Sequence, residues 1–483
     1  MSASRKALIR LAILAASLSF IVLLSAACGS GSFEPPRLAT QTAAVGATAT
    51  PQGTPLVSLV PTPTIDPNGS ADQTTSPEPQ AEPADILTVW INESPNASSE
   101  QFISAVDAFV DQTGIEVDLV MVAPKLLPEL VRTAVLSDTL PDIIVHPFEY
   151  SAGWVDQGIL DSKAATDALN RLDADTFDAA AIDLITLDET GAIPALPSDG
   201  WKQLIVYRTD WFSGKDLEIP DSYETLFAAA ETIFEPDSVV SGIIVPTDSD
   251  LLATQQAFEF IAAANGCELI DAQGEITLLH PACLEALEYY RALINGFSPI
   301  GVQTEISALN AFLTGRTGII FASPAVLPAL AGYDDTFRPN CPECADPRFL
   351  AGNTGILTEL TGSGAYSTTA SFGEINSIGV TTVADRELAD QFIDFWFNDA
   401  YAARIADAPE RRVPFREGTV DSPNYFTELW KESPIGSENL VIADIFGEET
   451  AEKLSKSVAT TDRWGFPERQ GSVITTLHEE LIL

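Results

Sequence analysis

Residues 86–94 read ILTVWINES. Six β-forming residues, Ile86–Ile91, end at Asn92, Glu93 and a loop that carries Pro95. A short apolar run bounded by turn formers marks a strand buried on both faces. Next, in EQFISAVDAFVDQTG (100–114), Phe102, Val106, Phe109 and Val110 recur at helical spacing. Ser98 or Ser99 can cap the start of that helix, and Gly114 stops it. IEVDLVMV (115–122) reads as a strand, LLPELVRTAVLSDTL (126–140) as a helix, PDIIVHP (141–147) as a strand and SAGWVDQGIL (151–160) as a short helix. Alternation of this kind calls for an α/β fold with a mostly parallel sheet covered on both faces.

The middle of the chain continues in this style. WKQLIVYRTDWF (201–212) reads as a strand with a tail, and SYETLFAAAETIF (222–234) as a helix capped by Ser222. SGIIVPT (241–247) reads as a further strand, and DLLATQQAFEFIAAANG (250–266) and CLEALEYYRALIN (283–295) as helices. ALNAFLTGR (308–316) leads into the strand TGIIFASP (317–324). A Gly/Ser/Thr-rich stretch (357–374) precedes the strand INSIGVTT (375–382), and ELADQFIDFWFNDAYAARIA (387–406) is a helix. The last residues, 471–483, read as helical.

Ahead of residue 86 the chain has another character. Arg5, Lys6 and Arg10 precede an uncharged, mostly apolar run, Leu11–Leu24, and Ser25, Ala26 and Ala27 are small. That is the layout of a secretory signal over residues 1–27. The apolar run, about 14 residues, is shorter than the roughly 20 that span a bilayer. Cys28 follows the small residues and resembles the acceptor of a bacterial lipobox, with Ser25 where Leu is usual. The resemblance implies cleavage before Cys28 and acyl chains such as palmitate on it; two or more chains hold a protein stably at a membrane. The alternative is an uncleaved anchor helix, which also tethers the protein outside the cytoplasmic membrane. Residues 28–85 are rich in Pro, Thr, Ser, Ala and Gly, with Phe33 their one aromatic residue. Such a segment buries too little apolar surface to fold, and is read as a tether.

The formal net charge is -44 over 483 residues. A surface of that sign repels nucleic acid, whose binding needs Lys and Arg to displace counterions. Four cysteines remain after Cys28: Cys267, Cys283, Cys341 and Cys344. An even number in an exported chain reads as disulfides, Cys267–Cys283 and Cys341–Cys344. The first bridge is worth on the order of 3 kcal/mol by loop closure. A four-Cys zinc site wants two close pairs, and only Cys341/Cys344 is one; no metal or cofactor is expected.

The order of these signals resembles the extracellular solute-binding proteins of ABC importers, the group that includes maltose-binding protein. LTVWIN followed by a helix and DQTGIEVDLV is similar to the opening of that family. LPDIIVHPFEYSAGWVDQGIL (140–160) resembles its second landmark, WKQLIVYRTDWF and IPDSYETLFAAA its crossover, NAFLTGRTGIIFASP its second-lobe strand and RVPFRE its late Pro-x-Arg segment. The resemblance covers about residues 86–480. It implies a two-lobed periplasmic-binding-protein-like fold of type II, with a mixed, mostly parallel sheet in each lobe and an interlobe hinge. Lobe 1 is expected over 86–198 and 377–418, lobe 2 over 199–376 and 419–483. Ligand would sit between the lobes at the C-terminal ends of strands.

On this reading the ligand-binding candidates in lobe 1 are Asn92 and Glu93 after the first strand, and His146, Glu149 and Trp154 after the third. Trp201 on the crossover is placed to stack on the C–H face of a sugar ring. Lobe 2 offers Gln255, Ser323, Tyr366, Phe372 and Trp464. The Trp that the family carries after its Ser-Pro is missing from SPAVLP (323–328). Expected partners are a small solute, a sugar by preference with an oligopeptide or a polyamine as the alternatives, since Glu93 and Glu149 together would suit a cation, and the ABC permease. The protein is expected to act as an extracytoplasmic monomer held at the membrane by lipid alone. A receptor for a sensor kinase and a glycoside-acting enzyme are the rivals. His146, His280 and His478 are far apart, and no His-Glu-x-x-His, Gly-x-Ser-x-Gly or Walker loop is present in the folded part. Among 69 acidic residues, spacing by itself does not exclude a two-carboxylate glycosidase. Cys28→Ser is expected to leave an unprocessed, unacylated precursor. Mass spectrometry of chain expressed in a lipoprotein-processing bacterium checks this, and a soluble, unacylated wild-type chain would count against the anchor.

Overall fold

A computed structural model describes residues 86–93, 100–187, 190–249, 252–268, 277–436, 439–456 and 458. The leader, Cys28, the tether, Ser98, Ser99, Trp464 and the terminal helix reading lie outside these residues. In chain order the described strands are β1 (Ile86–Ile91), β2 (Glu116–Met121), β3 (Ile143–Pro147), β4 (Leu196–Lys202), β5 (Leu204–Arg208), β6 (Ile319–Ala322), β7 (Thr354–Leu357), β8 (Leu360–Thr361), β9 (Thr369–Ala370), β10 (Gly373–Val380) and β11 (Val413–Pro414). They form a six-stranded sheet in the order β11-β4-β10-β3-β1-β2, a three-stranded sheet β6-β5-β7, and a short β8-β9 pair.

β1 is fully buried on one face, by Leu87, Val89 and Ile91, while Thr88 and Trp90 on the other are only half-buried, short of the burial on both faces expected; it pairs in parallel with β2 and β3. The sheet is less parallel than expected. β10 runs antiparallel to both β3 and β4, and β5 is antiparallel to both β6 and β7. Alternation along the sequence hides this, because β10 arrives from the other lobe with no crossover helix between it and β3. SGIIVPT makes only two isolated parallel bridges, Ser241 to Thr317 and Ile244 to Ile320, and is not a full strand.

The run 201–212 divides at Gln203. Trp201 and Lys202 pair with β10 in the first sheet, whereas Leu204 onward pairs with β6 in the second. Residues 199–202 and 373–376 therefore belong to lobe 1, not lobe 2. So does the helix Tyr425–Glu432: Phe426 meets the Tyr401 ring edge-on at 4.7 Å, and Trp430 Nε1 donates to Pro409 O at 2.6 Å. Two apolar anchors on one helix face decide its placement, and only the fold shows what they reach. The expected boundaries at 198/199, 376/377 and 418/419 shift accordingly.

Local chemistry shapes the elements. Ser222 and Thr225 form a reciprocal capping box at the helix Tyr223–Ile233, a cap of about 1 kcal/mol. The helix Arg386–Phe395 passes through a π-helical turn, Trp396–Ala400, into Tyr401–Asp407. The wide turn presents both Trp396 and Tyr401 to β4: Trp396 Nε1 donates to Ser198 Oγ at 3.2 Å, and the Tyr401 hydroxyl donates to Ser198 O. Gly200 is required there, since a Cβ would stand 2.9 Å from the Phe415 ring and closer still to Glu374 O. Cys267 bonds Cys283, and Cys341 bonds Cys344.

His146 and Trp154, expected at the ligand, serve the lobe 1 core. Trp154 is 1% exposed and packs with Val122, Leu127, Val131 and Ile144. Tyr150 stacks on it at 5.1 Å and His146 lies at 4.9 Å. The short helix Ser151–Asp156 turns this side of the ring under the sheet. Trp154→Ala is expected to cost about 3–5 kcal/mol of stability, the range for a buried aromatic. Urea unfolding checks this, and a loss under 1 kcal/mol would place the ring outside the core.

Candidate functional site

The two sheets meet at a cleft of about 710 Å³. From lobe 1 come Asn92 and Glu93 at the end of β1, Asp199 and Trp201 on β4, Glu374 and Asn376 on β10, and Arg411 and Arg412 before β11. From lobe 2 come Asp248, Gln256, Thr304, Glu305, Ile306 and Ser323.

The base of this wall is an ionic cluster. Asp199 is fully buried and accepts from Arg404 Nε at 2.8 Å, Ser198 Oγ at 2.9 Å and Asn376 Nδ2 at 3.0 Å. Glu93 Oε1 takes Arg404 at 3.0 Å and Arg412 at 3.1 Å. Arg412 also pairs with Asp407 at 2.7 Å and donates to Arg404 O at 3.0 Å. Arg404 itself lies over the Trp396 ring at 4.8 Å. Burial pushes both carboxyls up, but Arg404 and Arg412 outweigh it, so Glu93 and Asp199 lie below the usual carboxylate range. The same carboxylates hold Arg404 protonated against its desolvation.

Across the mouth, Gln256 Nε2 on the helix Leu252–Ala264 donates to Glu374 Oε2 on β10 at 2.6 Å, joining the lobes. Glu374 faces Trp201 across the ladder. Glu305 Oε1 accepts from Ser323 N at 2.9 Å. Asn92 is 7% exposed, and its Oδ1 has no partner among the described residues.

Of the expected residues, the cleft gathers Asn92, Glu93, Trp201 and Ser323. Glu149, Gln255 and Phe372 line a separate crevice of about 40 Å³ beyond the Gln256–Glu374 bond. Tyr366 packs edge-on against His280 at 5.2 Å, away from both spaces. His146 sits between Ile144 O at 3.0 Å and Ser151 Oγ at 2.9 Å, wholly buried. The sequence reading passes over Asp199, Gln256, Glu374, Asn376, Arg411 and Arg412. One signal was available: in GEINS, Glu374 and Asn376 alternate with Ile375, so both polar groups face the same side of a strand.

Among the described residues no group of His, Cys, Asp and Glu is arranged to hold a metal ion. No described helix is long and apolar enough to cross a membrane.

The bacterial extracellular solute-binding protein family matches residues 104–434, more than half of the chain. The chain belongs to that family. Over 329 residues, 67% of this chain and 70% of the relative, it is 24% identical to YcjN of Escherichia coli (strain K12), named as an ABC transporter periplasmic-binding protein. Solved structures agree on the fold. A solute-binding protein of Agrobacterium radiobacter K84 in complex with ribitol superposes with TM-score 0.59 at 17% identity, covering 83% of this chain and 98% of that one. The GacH receptor of Streptomyces glaucescens, solved free and with acarbose, gives 0.60 at 16% identity, with 83% and 94% covered. The maltose-bound MalE3 of T. maritima gives 0.56 at 15% identity, with 82% and 99% covered. The fold is thus the two-lobed one of periplasmic binding proteins, and the family is one of solute capture outside the cytoplasm.

The buried His146 gives the fold a pH dependence. Burial lowers its pKa from 6.5 to about 4, against the smaller upward pull of Ile144 O. The folded state holds the ring neutral, so its stabilisation is whole above pH 6.5 and is lost as pH falls toward 4. The loss is about 3 kcal/mol, at 1.36 kcal/mol per pKa unit. Glu93 and Asp199 add losses of the same sign below the ordinary carboxylate range, as protonation breaks their pairs. Urea midpoints of wild type and His146→Asn from pH 7.5 to 4.5 check this: the wild type should fall steeply and the variant flatten. Parallel curves would refute the assignment.

Proposed function

We propose that this protein captures an uncharged sugar or polyol in the interlobe cleft and hands it to the permease of an ABC importer. One observation carries the reading. The cleft places the half-buried Trp201 ring beside closely spaced carboxylate and amide oxygens from both lobes. Sugars need both, an apolar face for C–H groups and fixed acceptors for hydroxyls. Asn92 Oδ1, buried without a partner among the described residues, is an acceptor that a ligand hydroxyl would satisfy. Ribitol, acarbose and maltose are ligands of proteins that share the fold, which supports this chemistry. The protein would work as a monomer. It would be anchored by lipid on Cys28, with residues 28–85 as the tether.

A thermal-shift screen of the purified chain against sugars and polyols tests the reading. A ligand at a hundredfold excess over Kd adds about 2.7 kcal/mol, and no shift with any of them would reject it. Trp201→Ala should then weaken binding by about 2 kcal/mol, roughly thirtyfold, with the unliganded melt almost unchanged. Calorimetric titration and an apo melting curve of the same variant decide. Unchanged affinity with about 3–5 kcal/mol lost from the apo protein would make Trp201 a core residue instead.

A further inference from the structure

The wall of the cleft poses a problem of charge. The chain carries a net charge of -44, and such a field draws cations toward any concave surface. Five carboxylates line the cleft, Glu93, Asp199, Asp248, Glu305 and Glu374, against three cations, Lys125, Arg411 and Arg412. On those grounds an ammonium ligand should outcompete a neutral one. The arrangement of hydrogen bonds argues the other way at the base of the wall. Asn376 Nδ2 donates to a carboxylate that can only accept, so the amide's Oδ1 is its remaining acceptor. Asn92 Oδ1 is a second acceptor, buried and unpartnered among the described residues. Behind them Arg404 meets both Glu93 and Asp199, and Arg412 meets Glu93 and Asp407. The base therefore offers oxygen acceptors whose carboxylate neighbours are each met by a guanidinium within 3.1 Å.

We propose that Arg412, with Arg404 beneath it, sets the specificity of this cleft by excluding cationic ligands in favour of uncharged hydroxyl donors. This rests on the sugar or polyol reading of the same site and names its selectivity. Arg412 is the member nearer the ligand. It lines the cleft, whereas Arg404 is sealed beneath Trp396 and Phe102 and holds the wall together. A hydroxyl donor satisfies Asn92 and Asn376 without displacing either guanidinium. An ammonium group at the same place meets Arg412 at close range in a half-desolvated cleft, where like charges repel far more than in water.

The test measures affinity by calorimetry for four probes: D-mannitol and D-glucose as neutral ligands, D-glucosamine and spermidine as cations. Wild type is expected to take a neutral probe and neither cation. Arg412→Gln removes one of the two guanidiniums on Glu93 and leaves Arg404 there, so the ratio of cation to neutral affinity should rise about tenfold or more, and the gain should fade as salt rises. Arg412→Lys keeps the charge and should keep the exclusion. Glu93→Gln, made with both arginines intact, tips the balance the other way. It should exclude cations still and gain D-glucuronate. If Arg412→Gln fails to fold, the glucuronate gain in Glu93→Gln carries the decision. An unchanged cation-to-neutral ratio in folded Arg412→Gln, or no glucuronate gain in Glu93→Gln, overturns the proposal. Wild type that takes no neutral probe would count against the sugar and polyol reading instead. In that case the appearance of cation binding in Arg412→Gln alone still supports charge exclusion, and cation binding by wild type refutes it.

Discussion

A carboxylate with no access to water sits where the two lobes join, and its neutralisation organises much of the molecule. Asp199 needs a positive partner to be ionised in that place, and Arg404 provides it. A buried pair of this kind adds little net stability over an apolar one, but removing one partner costs about 3–5 kcal/mol, because the other is left stranded. The constraint reaches far along the chain. Arg404 comes from a helix about 200 residues beyond Asp199 and also holds Glu93, near the start of the described fold. Three distant segments are thus fixed to one point. The π-helical turn before Arg404 belongs to the same arrangement, since it brings Trp396 under the guanidinium and onto Ser198.

That cluster also explains why the cleft has its shape. Each of its members either faces the ligand space or supports a residue that does. Asn376 is oriented by Asp199, Glu93 by two arginines, and Arg412 by Asp407 and Arg404 O. Side chains locked by buried partners lose little further entropy on binding, which is how a receptor recognises a flexible polyol at modest cost. The Gln256–Glu374 bond differs in kind. It spans the cleft between lobes and is part-buried, and no member of the base depends on it. A rigid base with a breakable contact at the mouth suits a protein that must both close on a solute and release it.

The elements of the fold were largely legible because burial writes itself into period and composition. β1, β3, the helix at Glu100–Thr113 and the capped helix at Tyr223 are each stated by their own residues, and the disulfides by cysteine spacing. The division at Gln203 was not legible. Trp201 and Leu204 lie three residues apart in one apolar-looking run, yet they belong to different sheets, and only pairing partners far along the chain separate them. The antiparallel entry of β10 was hidden for the same reason.

At the site the sequence marked positions at strand ends, and Asn92, Glu93, Trp201 and Ser323 are indeed in the cleft wall. It could not tell a polar residue facing the cleft from one facing the core. His146 follows Ile144 by two residues on a strand buried along its length, and a histidine there is satisfied internally by Ile144 O and Ser151. Nor could it pair Arg404 with Asp199, since charge complementarity across about 200 residues leaves no local pattern. What the sequence by itself determined was the kind of fold and most of its elements, because hydrophobic burial and turn chemistry act over a few residues. The tertiary structure alone decided which charges meet, because ion pairing acts between residues that only folding brings within 3 Å.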